Sequence, residues 1–239
     1  MLGQISTDIG KVCYLALEDG QRRLKSRLDK LLNGQTAPEL LLMFDAGVGW
    51  QKLDQGGFQQ LEELLRQHED TKLVIIDTLQ RIKPAGKRHQ TSYENDYNAI
   101  GELQKLSIKH HIGIILVHHL RKSDSTSGDV FDEISGSLGL TGVADTNIVI
   151  KRTRNSPEAL LSLVSRDTGE KELGLSFDES TCKWSLIGEA SASDYSQSKM
   201  RREIKQILQA VSAPIDAGEI SAALDAKGIR SSQSSPSIR

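Results

Sequence analysis

Three apolar runs in this chain stop abruptly on residues that can handle charge and protons. Val12-Cys13-Tyr14-Leu15-Ala16-Leu17 ends at Glu18-Asp19, Leu73-Val74-Ile75-Ile76 ends at Asp77-Thr78, and Ile112 to Val117 ends at His118-His119. A continuous apolar run of this kind reads as a strand buried on both faces. Polar groups at the carboxyl ends of neighbouring parallel strands meet at one sheet edge, where open α/β sheets take their ligands. The set suits nucleotide hydrolysis. One carboxylate orients Mg²⁺ against the phosphates, a second activates the attacking water, and a polar residue senses the transferred phosphoryl group. Each pair also has a plainer use: Asp77 as a turn residue, Glu18-Asp19 as a helix amino-terminal cap, the histidines as satisfied strand-end groups. Their recurrence at consecutive strand ends favours a joint site.

The elements that must position these residues follow from the apolar spacing. Leu24, Leu28, Leu31 and Leu32 recur on one helical face, with Arg22, Arg23, Lys25, Arg27 and Lys30 on the other and Gly34 as the stop. Leu40 to Phe44 is another apolar run, and Phe58, Leu61, Leu64 and Leu65 mark a helix before the Asp77 strand. Tyr93, Tyr97, Ile100, Leu103 and Leu106 mark the next helix. Strand and helix alternate, so the expected fold class is α/β: a mostly parallel sheet covered by helices on both faces. Residues 121–137 are rich in Ser, Asp, Gly and Thr and read as a long mobile loop, of a length that in a compact domain is usually functional or disordered. Ile148 to Ile150, Leu160 to Val164, Leu173 to Phe177 and Lys183 to Ile187 then read as short strands, an antiparallel extension at one sheet edge. The expected division is a core over 1–188, a small-residue linker over 189–198, a helical segment over 199–230 and a disordered tail over 231–239.

The 239 residues allow one α/β domain plus a small second one. With 37% hydrophobic and 26% charged residues the composition is that of an ordinary soluble protein, and a 4% aromatic content makes the core aliphatic. A net charge of −2 excludes an overall basic signature, so any nucleic-acid contact must come from local patches. Cys13 and Cys182 read as core thiols of a cytosolic protein. No apolar run reaches the ~18 residues of a membrane span, and no signal pattern opens the chain. A cytoplasmic location is expected.

The phosphate-cradling pattern G-x-x-x-x-G-K-[ST] does not occur in these residues. Gly10-Lys11 precedes a strand instead of opening a helix, and Gly86-Lys87 lacks both the upstream Gly and the following Ser or Thr. Without backbone amides and a Lys on the phosphates, weak or no ATP binding is expected of these residues alone.

The runs GKVCYLALEDGQRRLKSRLDKLL, KLVIIDTLQRIKP, GIILVHHLRKSD and FDEISGSLGLTGVADTNIVIKR resemble, in order and spacing, the RecA-like P-loop ATPases. The subgroup is the AAA_25 type, that of the hexameric replicative helicase RepA and related plasmid or phage ATPases. The resemblance covers roughly residues 10–188. In that family the P-loop lies just upstream of the segment matching Gly10-Lys11, so the chain resembles a member beginning after its Walker A motif. The resemblance implies a RecA-like fold, ATP with Mg²⁺, single-stranded DNA as partner, and a homo-oligomer, a hexamer in that subgroup. Glu18 matches the catalytic glutamate, with Asp19 beside it on the nucleotide side. Asp77 matches the Walker B aspartate that holds the metal, and Thr78 follows it. His119, in preference to His118, matches the phosphate-sensing histidine. The loop over 121–137 matches the mobile DNA-facing loop, where Arg121 and Lys122 offer phosphate contacts. Arg166 matches the residue that relatives set against a neighbouring subunit's nucleotide, with Arg152 as its rival.

From Lys199 onward the chain resembles the first two helices of a winged-helix or helix-turn-helix module, or equally a plain helical hairpin docked on the core, with Lys199, Arg201, Arg202 and Lys205 as a basic face and Asp216 capping a helix that carries Ile220 and Leu224. Three functions follow as expectations: the ATPase core of a DNA helicase, a truncated non-catalytic module of the same fold, or a DNA-binding regulator.

Overall fold

A computed structural model describes residues 2, 5–84, 91–120, 130–134, 138–152, 156–189, 203–204, 207–208 and 215–226. Its first half is built from strands β1 (Lys11–Ala16), β2 (Leu41–Asp45), β3 (Thr71–Asp77) and β4 (Gly113–Val117). Helices α1 (Gln21–Leu32), α2 (Gly57–Gln67), the short α3 (Leu79–Ile82) and α4 (Ser92–His110) connect them. The four strands form one parallel sheet in the order β2-β1-β3-β4. The three strands with polar ends are therefore adjacent and point the same way, as their sequences imply.

The helices divide between the two faces unequally. The connection from β1 to β2 steps one way along the sheet, while those from β2 to β3 and from β3 to β4 step the other way. Right-handed crossovers then set α1 on one face and α2 with α4 on the opposite one. The α2/α4 face carries the main core: Cys13, Leu15, Val74 and Ile76 packed against Leu61, Leu64 and Leu65 of α2 and Ile100, Leu103 and Leu106 of α4. The α1 face is less covered. Leu24 is buried, but Val12, Tyr14, Leu73 and Ile75 are only half-buried and Ile115 is 48% exposed. The expectation of a sheet buried on both faces holds for one face and half for the other.

Local signals account for the helix ends. Helix α1 stops at Asn33, which takes a left-handed φ of 49°, with Gly34 following at φ 83°. The stop thus uses both residues, where the sequence pointed to Gly34 alone. Helix α4 opens on a reciprocal capping box, in which the Glu94 amide donates to Thr91 Oγ1 and the Thr91 amide donates to the Glu94 carboxylate. Tyr93 and Tyr97 do not join the buried stripe of α4; at 3.6 residues per turn they fall on its margin and stack on each other in the open.

The second half is a separate antiparallel sheet. Helix α5 (Leu138–Val143) leads into β5 (Thr146–Arg152), β6 (Glu158–Ser165), β7 (Gly169–Asp178) and β8 (Lys183–Glu189), ordered β5-β6-β7-β8. The sequence implied an antiparallel extension of the first sheet; instead, among the described residues, β4 pairs only with β3 and β5 only with β6. Side chains join the halves: α5 packs on α4, with Leu140 and Val143 in the main core. Asn147 Nδ2 donates to the Thr141 carbonyl at 3.0 Å, and Lys151 pairs with Glu133 at 2.6 Å.

Cys13 is buried as expected, but Cys182 is a half-buried turn residue with φ 54° between β7 and β8. Near the carboxyl end, Asp216 caps α6 (Ala217–Ala226) through a reciprocal pair with Glu219. Ile207 and Leu224 are buried together with Ile204, Ile215 and Ile220 around them, a small core apart from the main one. The expected linker beyond Glu189, the residues Lys199, Arg201, Arg202 and Lys205, and the tail over 231–239 lie outside the described residues. Among the described residues no helix is long and apolar enough to cross a membrane.

Candidate active site

Strand register brings the site together. Ala16 of β1 pairs with Asp77 of β3, and Asp77 pairs with Val117 of β4. The residues just beyond these positions therefore share the carboxyl edge of the sheet. The Leu17 amide donates to the Asp77 carbonyl at 2.6 Å, which carries the alignment one residue past the strand end.

Glu18 is the hub of this edge. Its Oε1 accepts from the buried Thr78 hydroxyl at 3.0 Å and lies 3.5 Å from Arg81 Nε. Its Oε2 lies 3.6 Å from Nε2 of the exposed His119. The contacts to Arg81 and His119 are longer than good hydrogen bonds, and the three side chains are open to solvent, so the pairs are weak. The Thr78 hydroxyl orients the carboxylate through this bond. His118 turns the other way: its Nδ1 sits 2.9 Å from the His119 carbonyl and its Nε2 is buried without a hydrogen-bond partner among the described residues. The geometry thus sets His119, and not His118, beside Glu18.

Asp77 is held by a different partner. The Tyr14 hydroxyl donates to Asp77 Oδ2 at 2.8 Å. Burial, and then the bond to the Asp77 carboxylate, push the Tyr14 phenol well above its ordinary value, so it stays a donor. Among the described residues Asp77 has no other side-chain hydrogen bond or ion pair, which leaves Oδ1 open.

The donors on this edge are oxygens: the carboxylates of Asp77 and Glu18 and the hydroxyl of Thr78. Hard oxygen donors fit Mg²⁺, which keeps several waters and takes one or two carboxylates plus substrate phosphates. Among the described residues no three His, Cys, Asp or Glu side chains converge into a closed metal cage. The donor set therefore fits Mg²⁺ shared with phosphate oxygens, and not a structural zinc site.

Other expected site residues are placed elsewhere. Asp19 is buried with both oxygens taken, Oδ1 by Arg23 at 2.8 Å and Oδ2 by Arg27 at 2.5 Å, so its carboxylate is engaged by α1. Lys11 lies at the opposite end of β1 and pairs with Asp70 at 2.7 Å, which removes it as a phosphate ligand of this site. Arg152 is clamped in the second sheet, 4.8 Å over the Phe177 ring and 5.9 Å from Trp184, with Nε donating to the Ser156 carbonyl at 2.7 Å. Arg166 is the more exposed of the two, on the turn after β6, and donates to the Gly142 carbonyl at 2.7 Å. Arg121 and Lys122 lie outside the described residues.

Tyr14 and Arg81 were not recognisable as site residues in the sequence. Tyr14 hides inside an apolar run, and the only signal was its hydroxyl, which needs a partner when buried. Arg81 follows Asp77 by one helical turn and reads as an ordinary surface cation.

Comparison with solved structures finds a chain described as the crystal structure of the RadB recombinase, at 12% identity and a TM-score of 0.49, over 72% of this chain and 77% of that one. No curated protein matches the sequence. The family described as the AAA domain, AAA_25, matches residues 2–125, from before β1 to beyond His119. That span holds the whole parallel sheet with Glu18, Asp77, Thr78 and His119 on its carboxyl edge, and the chain belongs to the AAA domain family.

Proposed function

We propose that this chain supplies the hydrolytic edge of a RecA-like ATPase of the replicative-helicase type, from a plasmid or phage, working on single-stranded DNA as a homo-oligomeric ring in the cytoplasm. The observation that carries the reading is the convergence of Glu18, Thr78 and His119 beside Asp77 on one edge of a parallel sheet. Asp77 and Thr78 would hold Mg²⁺, which when bound neutralises charge on the phosphate oxygens. Glu18 takes the proton of the attacking water, with its carboxylate oriented by Thr78. His119 reads the state of the phosphates through its contact with Glu18 and passes it to the loop over 121–137, where Arg121 and Lys122 meet DNA. Arg166 acts in trans at a neighbour's nucleotide. The helices beyond residue 199 form a DNA-binding accessory on this reading.

The site needs a phosphate cradle that G-x-x-x-x-G-K-[ST] would supply and that these residues do not contain. The sheet has a place for one. Among the described residues one edge of β4 is unpaired, and a strand added there with a right-handed return to β1 would lay its helix on the α1 face. That is the face where Val12, Tyr14, Ile75 and Ile115 are incompletely covered.

The test compares residues 1–239 alone with a form carrying an in-frame P-loop strand and helix before them. Calorimetric titration should give weak or no ATP binding for the first. The second should hydrolyse ATP, with Glu18→Gln lowering turnover far more than binding. Micromolar ATP affinity in residues 1–239 alone would overturn the division of labour, and a P-loop form without turnover would favour the non-catalytic reading.

A further inference from the structure

We propose that Tyr14 is a positioning residue that fixes which oxygen of Asp77 faces a divalent cation. The proposal rests on the reading of Asp77 as the cation ligand. Tyr14 pairs with Ile75 across the β1–β3 ladder, two residues below Asp77 on the neighbouring strand. Side chains two apart on a strand share a face, so Tyr14 and Asp77 lie on the same side of the sheet, one step apart diagonally. The long phenol spans that step, and its hydroxyl donates to Oδ2 at 2.8 Å.

This bond selects one orientation of the carboxylate. An aspartate at the end of a strand is free to rotate about its last torsion, which exchanges its two oxygens. With Oδ2 bound to Tyr14, Oδ1 is the oxygen directed outward. No second group shares the task among the described residues, since Thr78, Arg81 and His119 all converge on Glu18 instead. A phenylalanine would fill the same space on β1; the hydroxyl is what the site gains. Partners behind a metal ligand that fix its orientation are worth about 10- to 100-fold in metal affinity, and the exposed setting of this edge puts Tyr14 at the lower end.

The test is Mn²⁺ titration, with a non-hydrolysable ATP analogue present, of residues 1–239 carrying the in-frame P-loop strand and helix before them, followed by electron paramagnetic resonance, with thermal unfolding measured in parallel. Four proteins are compared: the parent, Asp77→Ala, Tyr14→Phe and Ile75→Val. The parent should bind Mn²⁺, Asp77→Ala should lose the site, and Tyr14→Phe should weaken it by about 10-fold and broaden the bound signal. Ile75→Val trims the same sheet face without touching the hydroxyl and should bind as the parent does. Parent-like affinity in Tyr14→Phe overturns the role of Tyr14 alone, and so does an equal loss in Ile75→Val, which would trace the effect to packing. A parent that takes up no Mn²⁺, or uptake unchanged in Asp77→Ala, overturns the cation reading of the site and the proposal with it.

Discussion

Arg152 and Arg166 carry the same guanidinium, and their neighbours assign them different work. Arg152 lies over two aromatic rings and bonds a backbone carbonyl, so its removal strips packing as well as charge. Arg152→Ala should lower stability by about 1–2 kcal/mol, read from chemical denaturation. Arg166 is more exposed, and its ion pair with Asp145 is 3.4 Å long. Arg166→Ala should cost under about 1 kcal/mol and should show its main effect in the turnover of an assembled P-loop form. A larger stability loss at Arg166 than at Arg152 would reverse the assignment. The sequence resemblance put Arg166 ahead of Arg152 but held no sign of what surrounds Arg152, because its rings arrive from β7 and β8, more than twenty positions away. The same limit hid the Tyr14–Asp77 bond. Strand ends announce polar chemistry locally, whereas partners across strands depend on register, which the local pattern leaves open.

Existence and direction of the elements were legible; the strength of their ends and the pairing of the second sheet were not. Helix α4 begins with Thr91-Ser92-Tyr93-Glu94, a local capping-box pattern that the structure completes in both directions. Thr91→Ala should cost about 1 kcal/mol, measured by chemical denaturation, because it frees donors at the start of the helix that supplies Leu103 and Leu106 to the core. The turn between β7 and β8 gives a pH-dependent counterpart. The Ser180 and Thr181 hydroxyls and the Ser180 amide all donate to the Asp178 carboxylate and hold it down at about 2, against an ordinary 3.8. A carboxylate depressed by folding stabilises fully above its ordinary value and loses that effect as pH falls through the folded one. The acid limb of unfolding should therefore steepen between pH 3.8 and about 2, and Asp178→Asn should flatten it. An unchanged acid limb in the variant would show that the turn opens before it titrates. The break between β4 and β5 was not legible, because apolar strands on both sides of it read the same whether paired or open.

At the scale of the molecule, the described residues form two separate sheets, and among them β4 and β5 each keep one unpaired edge. Ile115 on β4 and Ile148 and Ile150 on β5 are exposed beside those edges. Open apolar edges template association with other chains. Size-exclusion chromatography of residues 1–239 should show self-association, and adding the P-loop strand and helix should sharpen the elution into a defined species. A monodisperse, cooperatively melting short form would favour the non-catalytic reading. The unpaired edges have a consequence for how the protein opens. Among the described residues no backbone ladder crosses from β4 to β5, so the halves are coupled through the α4–α5 packing and a few side-chain bonds such as Asn147 to Thr141. Cooperative opening units follow continuous ladders and shared cores. Amide hydrogen exchange should therefore sort the chain into two protection classes, β1–β4 with α2 and α4 in one and β5–β8 in the other, each with its own opening free energy. A loss of packing at Val143, which lies in the main core where α5 meets α4, would loosen the coupling and let both classes exchange sooner.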